Sequence, residues 1–140
     1  GITIAIGTDG PSSNNCLDMF REMFLVAALN NLLEKDASAV SAKDILQMST
    51  VNSAHAMGLV DADILAQGKL ADIIMIDLQQ PNMQPIHNIV NNLVFSGSKI
   101  NVKMTMINGK ILYENQKLFV GMEPEEIYEK CKHIAERVIC

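Results

Sequence analysis

Asp9 is the residue in this sequence best placed to do chemistry. It stands in Gly7-Thr8-Asp9-Gly10, directly after the apolar run Ile2-Thr3-Ile4-Ala5-Ile6. The run is short, β-branched and apolar on both sides, which predicts a strand covered on two faces. Parallel α/β folds gather their reactive groups just past the C-terminal ends of such strands. Gly7 and Gly10 let the backbone turn sharply there and leave the carboxylate clear. In that position it can ligate a divalent metal and take a proton from a metal-bound water. Thr-Asp-Gly also reads as an ordinary Asp-Gly turn, and the motif alone does not separate the two. Gly7 to Asn15 before a helix start resembles a phosphate cradle. However, its spacing fits neither Gly-x-Gly-x-x-Gly nor a P-loop, and Asp9 would repel the phosphate.

The other donors do not gather around Asp9 in the sequence. The histidines are His55, His87 and His133, and none forms a His-x-His pair. His55, between alanines on an expected helix, reads as a helix-surface or packing residue. His87 follows Pro85 in an exposed loop; contact with the mouth of an α/β barrel, should the chain form part of one, is its alternative role. His133 lies among charged residues and reads as solvated. The three cysteines lack a metal-ligand spacing, and a reduced, intracellular protein is the simple expectation. Cys131 is expected in the core, Cys140 exposed at the terminus, and Cys16 structural, although it lies near a helix start where a thiolate is favoured.

The elements that must position Asp9 follow from periodicity and caps. After the loop, a helix is expected with Ser13, Asn14 or Asn15 as its cap. Leu17, Phe20, Phe24, Ala27 and Leu32 mark its apolar face. Ser41 with Asp44 predicts a capped short helix to Met48. Thr50 opens another to Met57, with Gly58 as its left-handed stop. Ala71 to Leu78 predicts a second strand. Gln79 to Asn88, containing Pro81 and Pro85, predicts an extended loop. Ile89 to Phe95 reads as a short helix. Asn108-Gly109 between two apolar runs predicts a tight hairpin, since both residues tolerate positive φ. Pro124 starts a final helix with Ile127, Cys131, Ile134 and Val138 as its buried face.

Composition limits the classes. Of 140 residues, 49% are hydrophobic and 19% charged, which gives globular material able to bury one ordinary core. Few aromatics and a net charge of −5 argue against a nucleic-acid partner, which needs stacking rings or a basic patch. No apolar stretch reaches the roughly 18–20 residues of a membrane span, and no charged-then-apolar leader opens the chain. A cytoplasmic location without membrane partners is therefore expected. The chain begins without Met inside an apolar run, which reads as a cut within a longer chain or a cleavage product, with initiator-Met removal as the alternative.

Taken in order, Ile6-Gly7-Thr8-Asp9-Gly10, Ser12-Ser13-Asn14-Asn15 and Leu17-Asp18-Met19-Phe20 resemble the eighth-strand segment of the amidohydrolase superfamily. They look most like the 5-methylthioadenosine/S-adenosylhomocysteine deaminases and related chlorohydrolases. Thr50-Val51-Asn52-Ser53-Ala54, Gly68-Lys69-Leu70-Ala71-Asp72 with Asp77, Met83-Gln84-Pro85-Ile86-His87 and the Asn108-Gly109 hairpin continue the likeness. The resemblance implies an α/β fold: the C-terminal part of a metal-dependent hydrolase (β/α)8 barrel plus part of a composite β-sandwich. Residues 1–57 would be the last β/α part of the barrel, 58–121 strands of the small β domain, and 122–140 a C-terminal helix. It implies a mononuclear metal, zinc in most relatives, held by four histidines and the strand-eight aspartate. Asp9 takes that aspartate's place, as metal ligand and proton shuttle in hydrolytic deamination of a purine-type substrate.

The missing histidines qualify this expectation. The intact enzyme would carry the divalent metal and act on a small purine nucleoside-like substrate. This chain by itself would hold no metal and turn nothing over, because one carboxylate does not replace four or five ligands. The competing expectation is a non-catalytic α/β module that oligomerises through exposed strand edges. A homo-oligomer is expected on either reading, and a small anion- or nucleotide-binding domain is a weaker third.

Overall fold

The computed structural model describes residues 1–138, so Cys140 lies outside the described residues. The first helix, α1 (Met19–Glu34), begins at Asp18, whose buried carboxylate accepts from the backbone N–H groups of Phe20 and Arg21. That corrects the expected cap at Ser13, Asn14 or Asn15. Its buried residues are Phe20, Met23 and Ala27, whereas Leu17, Phe24 and Leu32 are exposed. Lys35 in the left-handed conformation ends it. Helix α2 (Ala42–Ser49) starts as expected: Ser41 Oγ accepts from the Asp44 N–H and donates to its carboxylate. Helix α3 (Val51–Ala56) follows at once, and Gly58, at φ +75°, turns the chain away from it. Thr50 precedes α3 without capping it, because its hydroxyl donates back to the Leu46 carbonyl.

Residues 2–6 form no strand among the described residues, contrary to expectation. A strand needs a neighbour for its backbone groups, and here side chains of α3 take that part. Asn52 Nδ2 donates to the Ile4 carbonyl and Ser53 Oγ to that of Ile6, while the Ile6 N–H donates to Met48 O. Ile6 is the buried residue of the run.

A four-stranded antiparallel sheet runs in the order β1 (Ile73–Ile76), β2 (Val102–Ile107), β3 (Lys110–Glu114) and β4 (Lys117–Leu118). The Asn108-Gly109 hairpin is as expected, with φ +48° and +76° at its two central residues. The segment leading into β1 clasps this turn: the Asp72 carboxylate accepts the Asn108 N–H at 2.6 Å, and Ala71 O accepts that of Gly109. Between β1 and β2 lie a 3-10 turn (Pro81–Met83), α4 (Ile89–Phe95) and a second 3-10 turn (Lys99–Asn101). The buried Asn101 side chain exchanges two hydrogen bonds with Asn82 and accepts the Ser98 N–H, locking that connection.

One cluster joins these parts. Ile6, Phe20, Met23, Ala27, Ala42, Ile45 and Val94 form the core, and Ile76 and Val102 of the sheet pack against it. Gly97 lies where a methyl group would strike the Leu93 carbonyl and come within 2.7 Å of Phe20, so only glycine brings the chain that close to α1.

Helix α5 (Pro124–Val138) begins at Pro124 as expected, but none of its residues is buried. Ile134 and Val138 are exposed, and so is Cys131, contrary to the core position expected of it. The helix has an apolar face, of which Ile127 is half-buried and the rest exposed.

Candidate metal-site carboxylate

Asp9 sits in the left-handed region at φ +57°. A non-glycine residue there is uncommon, and Asp is among the few that tolerate it. Its Oδ1 accepts the N–H of Gly10 at 2.6 Å, and its carbonyl accepts the Thr8 hydroxyl at 3.1 Å. The loop closes behind it, with Ser13 N–H and Asn14 N–H both donating to Gly10 O. Asn14 Nδ2 donates to Thr8 O at 2.9 Å and to Glu22 Oε1 of α1 at 2.8 Å, while its Oδ1 accepts the Cys16 N–H. Asp9 itself is exposed, with Oδ2 free of these bonds. Such a carboxylate can bind a cation or hold a proton at Oδ2 without disturbing the loop.

Beside this loop lies an open hollow of about 510 Å³ lined by Ala5 to Thr8, Met19, Ser49, Ser53, Ala56 and Met57. Most of its wall is apolar. Asp9 stands next to that wall in sequence but is not part of it.

The structure does not bring the other candidate donors to Asp9. Among the described residues, no group of three or more His, Cys, Asp or Glu side chains is arranged to hold a metal ion. His133 is solvent-exposed on α5, 3.5 Å from Glu136. His87 lines a separate shallow hollow with Asn88, Asn91 and Phe95. Cys16 is half-buried with the Lys99 ammonium 3.8 Å from its sulfur.

His55 has a partner that the sequence did not reveal. Its Nε2 lies 3.0 Å from Asp63 Oδ2, and Lys69 Nζ lies 2.8 Å from the other Asp63 oxygen. Lys69 also donates to Val60 O, so one lysine and one histidine clamp the 59–70 loop onto the end of α3. Lys69 belongs to Gly-Lys-Leu-Ala-Asp, and the acidic Asp61 and Asp63 shortly before it were the available signal. Hydrogen bonds first from Lys69 and then from His55 hold the Asp63 carboxyl at about 2, below its ordinary 3.8. A depressed carboxyl stabilises the fold fully above its unfolded value, and that stability drains away as pH falls through the folded value. The clamp is therefore expected to weaken between pH 3.8 and pH 2. Thermal unfolding followed from about pH 5 to about pH 2 should show an acid step that Asp63→Asn removes. An unchanged step in that variant would assign it to other carboxylates.

The amidohydrolase family model matches residues 1–112. The chain belongs to the amidohydrolase family. A 5-methylthioadenosine/S-adenosylhomocysteine deaminase of Dictyoglomus thermophilum is 38% identical over 138 residues, 99% of this chain and 32% of that protein. A 5'-deoxyadenosine deaminase of Methanosarcina acetivorans is 34% identical over 139 residues, 99% of this chain and 32% of its own length. Among solved structures, an adenosine deaminase from Xanthomonas campestris with bound zinc superposes with a TM-score of 0.91 at 32% identity. The match covers 98% of this chain and 31% of that one. A zinc complex of the atrazine chlorohydrolase from Arthrobacter aurescens gives 0.79 at 29% identity, over 95% and 30%. This amidohydrolase chain thus spans about a third of the length of these relatives.

A zinc ion needs about four protein or water ligands. This amidohydrolase chain offers Asp9 as one oxygen donor, and its described residues do not assemble the rest. Asp9 is by its chemistry fit for a single ligand position, and the described residues place no second His, Cys, Asp or Glu donor set around it.

Proposed function

We propose that this chain is the C-terminal part of a metal-dependent amidohydrolase that hydrolytically deaminates a purine nucleoside-like substrate of the methylthioadenosine or adenosylhomocysteine kind. Asp9 is one carboxylate of its site, as metal ligand and proton carrier. The observation that carries this reading is Asp9 itself, an exposed carboxylate in a braced left-handed turn. The deaminase names of the relatives support the reaction class. On the same reading the helical layer α1 to α3 completes a (β/α)8 barrel, and the four-stranded sheet is part of a small composite β domain. The histidine ligands come from outside this chain, which by itself is inactive.

A second reading rests on a different observation. Among the described residues the sheet ends at β1, with no strand on its other edge, beside an open hollow of about 680 Å³ lined by Met57, Ile64, Leu65, Ile73, Ile74 and Met106. Edges of this kind recruit strands, which favours a non-catalytic module that forms a homo-oligomer. One experiment separates the two. The complete reading frame is expressed with zinc, assayed for metal content, and tested for ammonia release from methylthioadenosine. Stoichiometric zinc with deamination fits the enzyme; an upstream frame without a His-x-His pair, and a protein that neither binds zinc nor releases ammonia, would sink it.

A further inference from the structure

We infer that Asn14 is the residue that positions Asp9, and that Glu22 of α1 is the anchor through which it does so. The inference rests on the reading of Asp9 as the site carboxylate. Asp9 holds a conformation that L-residues seldom adopt, and such a conformation persists only where the surroundings over-determine it. The two hydrogen bonds at Asp9 itself come from its immediate neighbours Thr8 and Gly10, and neither ties the turn to the rest of the fold.

The tie is Asn14. One amide has two N–H donors, and here one goes to the Thr8 carbonyl and the other to Glu22 Oε1. The Thr8 carbonyl belongs to the peptide that leads into Asp9, so its orientation sets the Asp9 φ angle directly. Glu22 sits one turn into α1, and its N–H donates to Asp18 O at the helix start. The same Asn14 fixes its own loop, since its Oδ1 accepts the Cys16 N–H and its backbone N–H donates to Gly10 O. All four polar contacts of Asn14 thus serve the turn. Both Asn14 and Glu22 are half-buried, which keeps water from competing freely for these bonds.

Neither residue touches the open oxygen of Asp9, so both act through the backbone. Losing such a support typically costs about 10- to 100-fold in affinity or rate. Asn14→Ala in the protein expressed from its complete reading frame should lower kcat by about that factor with KM little changed. Backbone amide exchange at Gly10, Ser13 and position 14, whose N–H groups are hydrogen-bonded within the loop, should accelerate together, while exchange in α1 and α2 stays as it was. Glu22→Gln, which keeps an acceptor oxygen, should restore what Glu22→Ala loses.

Wild-type kcat and unchanged exchange around Asp9 in Asn14→Ala would overturn the inference. A loss of kcat accompanied by faster exchange throughout α1 and α2 would overturn it as well, since Asn14 would then be holding the fold and not the turn. Should Asn14→Ala fail to fold, Glu22→Ala decides by the same two readouts. Asp9→Ala run in parallel keeps the underlying reading separate. Full turnover in that variant refutes the role of Asp9, whereas a dead Asp9→Ala beside a fully active Asn14→Ala refutes only the brace.

Discussion

Asp9→Ala in the complete protein should lower kcat by about 10²- to 10⁴-fold, the range over which a positioned proton-transfer group contributes. The expectation follows from geometry as much as from family. Oδ1 is committed to the Gly10 N–H, so Oδ2 is the oxygen that can meet a cation or a proton. Asp9→Asn is the sharper test. Asparagine tolerates the left-handed turn as aspartate does, and its Oδ1 can still accept from Gly10. The loop should therefore survive while the ionised oxygen is lost, and turnover should fall nearly as far as with alanine. Ammonia release and bound zinc, measured on both variants, check this. Turnover within about tenfold of wild type, a loss of only ~1.4 kcal/mol in barrier terms, would remove Asp9 from the chemistry.

Ile45→Ala should cost about 2–5 kcal/mol of stability, with Ile45→Val costing about 0.5–1.5. Ile45 is fully buried on α2 within the cluster formed by Phe20, Met23 and Ala27 of α1 and Val94 of α4. Three helices converge there, so the cavity left by truncation has rigid walls and collapses little. Because Ile6 belongs to the same cluster, the lead-in to the Asp9 loop should loosen with it. Chemical denaturation of the two variants tests the gradation; equal small losses would mean that the helices close over the gap.

Local chemistry was readable where it was self-contained. Asn108-Gly109 encodes a hairpin because both residues accept positive φ, and Ser41 with Asp44 encodes a helix start because both partners lie within one turn. The 89–95 helix and the left-handed stop at Gly58 were legible for the same reason. What escaped depends on distance. The cap of α1 is Asp18, since the acceptor oxygen of Asn14 is already committed to the Cys16 N–H, a competition that periodicity alone does not display. The 2–6 run has strand composition, yet its backbone partners here are side chains of α3. Helix α5 carries a clear apolar stripe, and a stripe says which face seeks cover without saying that cover is present. At the site, Asp9 was visible as a residue and its bracing was not. His55 looked isolated because Asp63 and Lys69 lie beyond the turn at Gly58.

The bonds from Asn52 to Ile4 and from Ser53 to Ile6 join positions 48 and 47 residues apart. Closing loops of that length costs chain entropy that only the finished helical layer returns. The peptide entering Asp9 is therefore expected to reach its place late in folding, after α1 to α3 have assembled. In a refolding experiment the helical signal should return before the Gly10 amide gains protection, and a single shared rate for both would rule that order out.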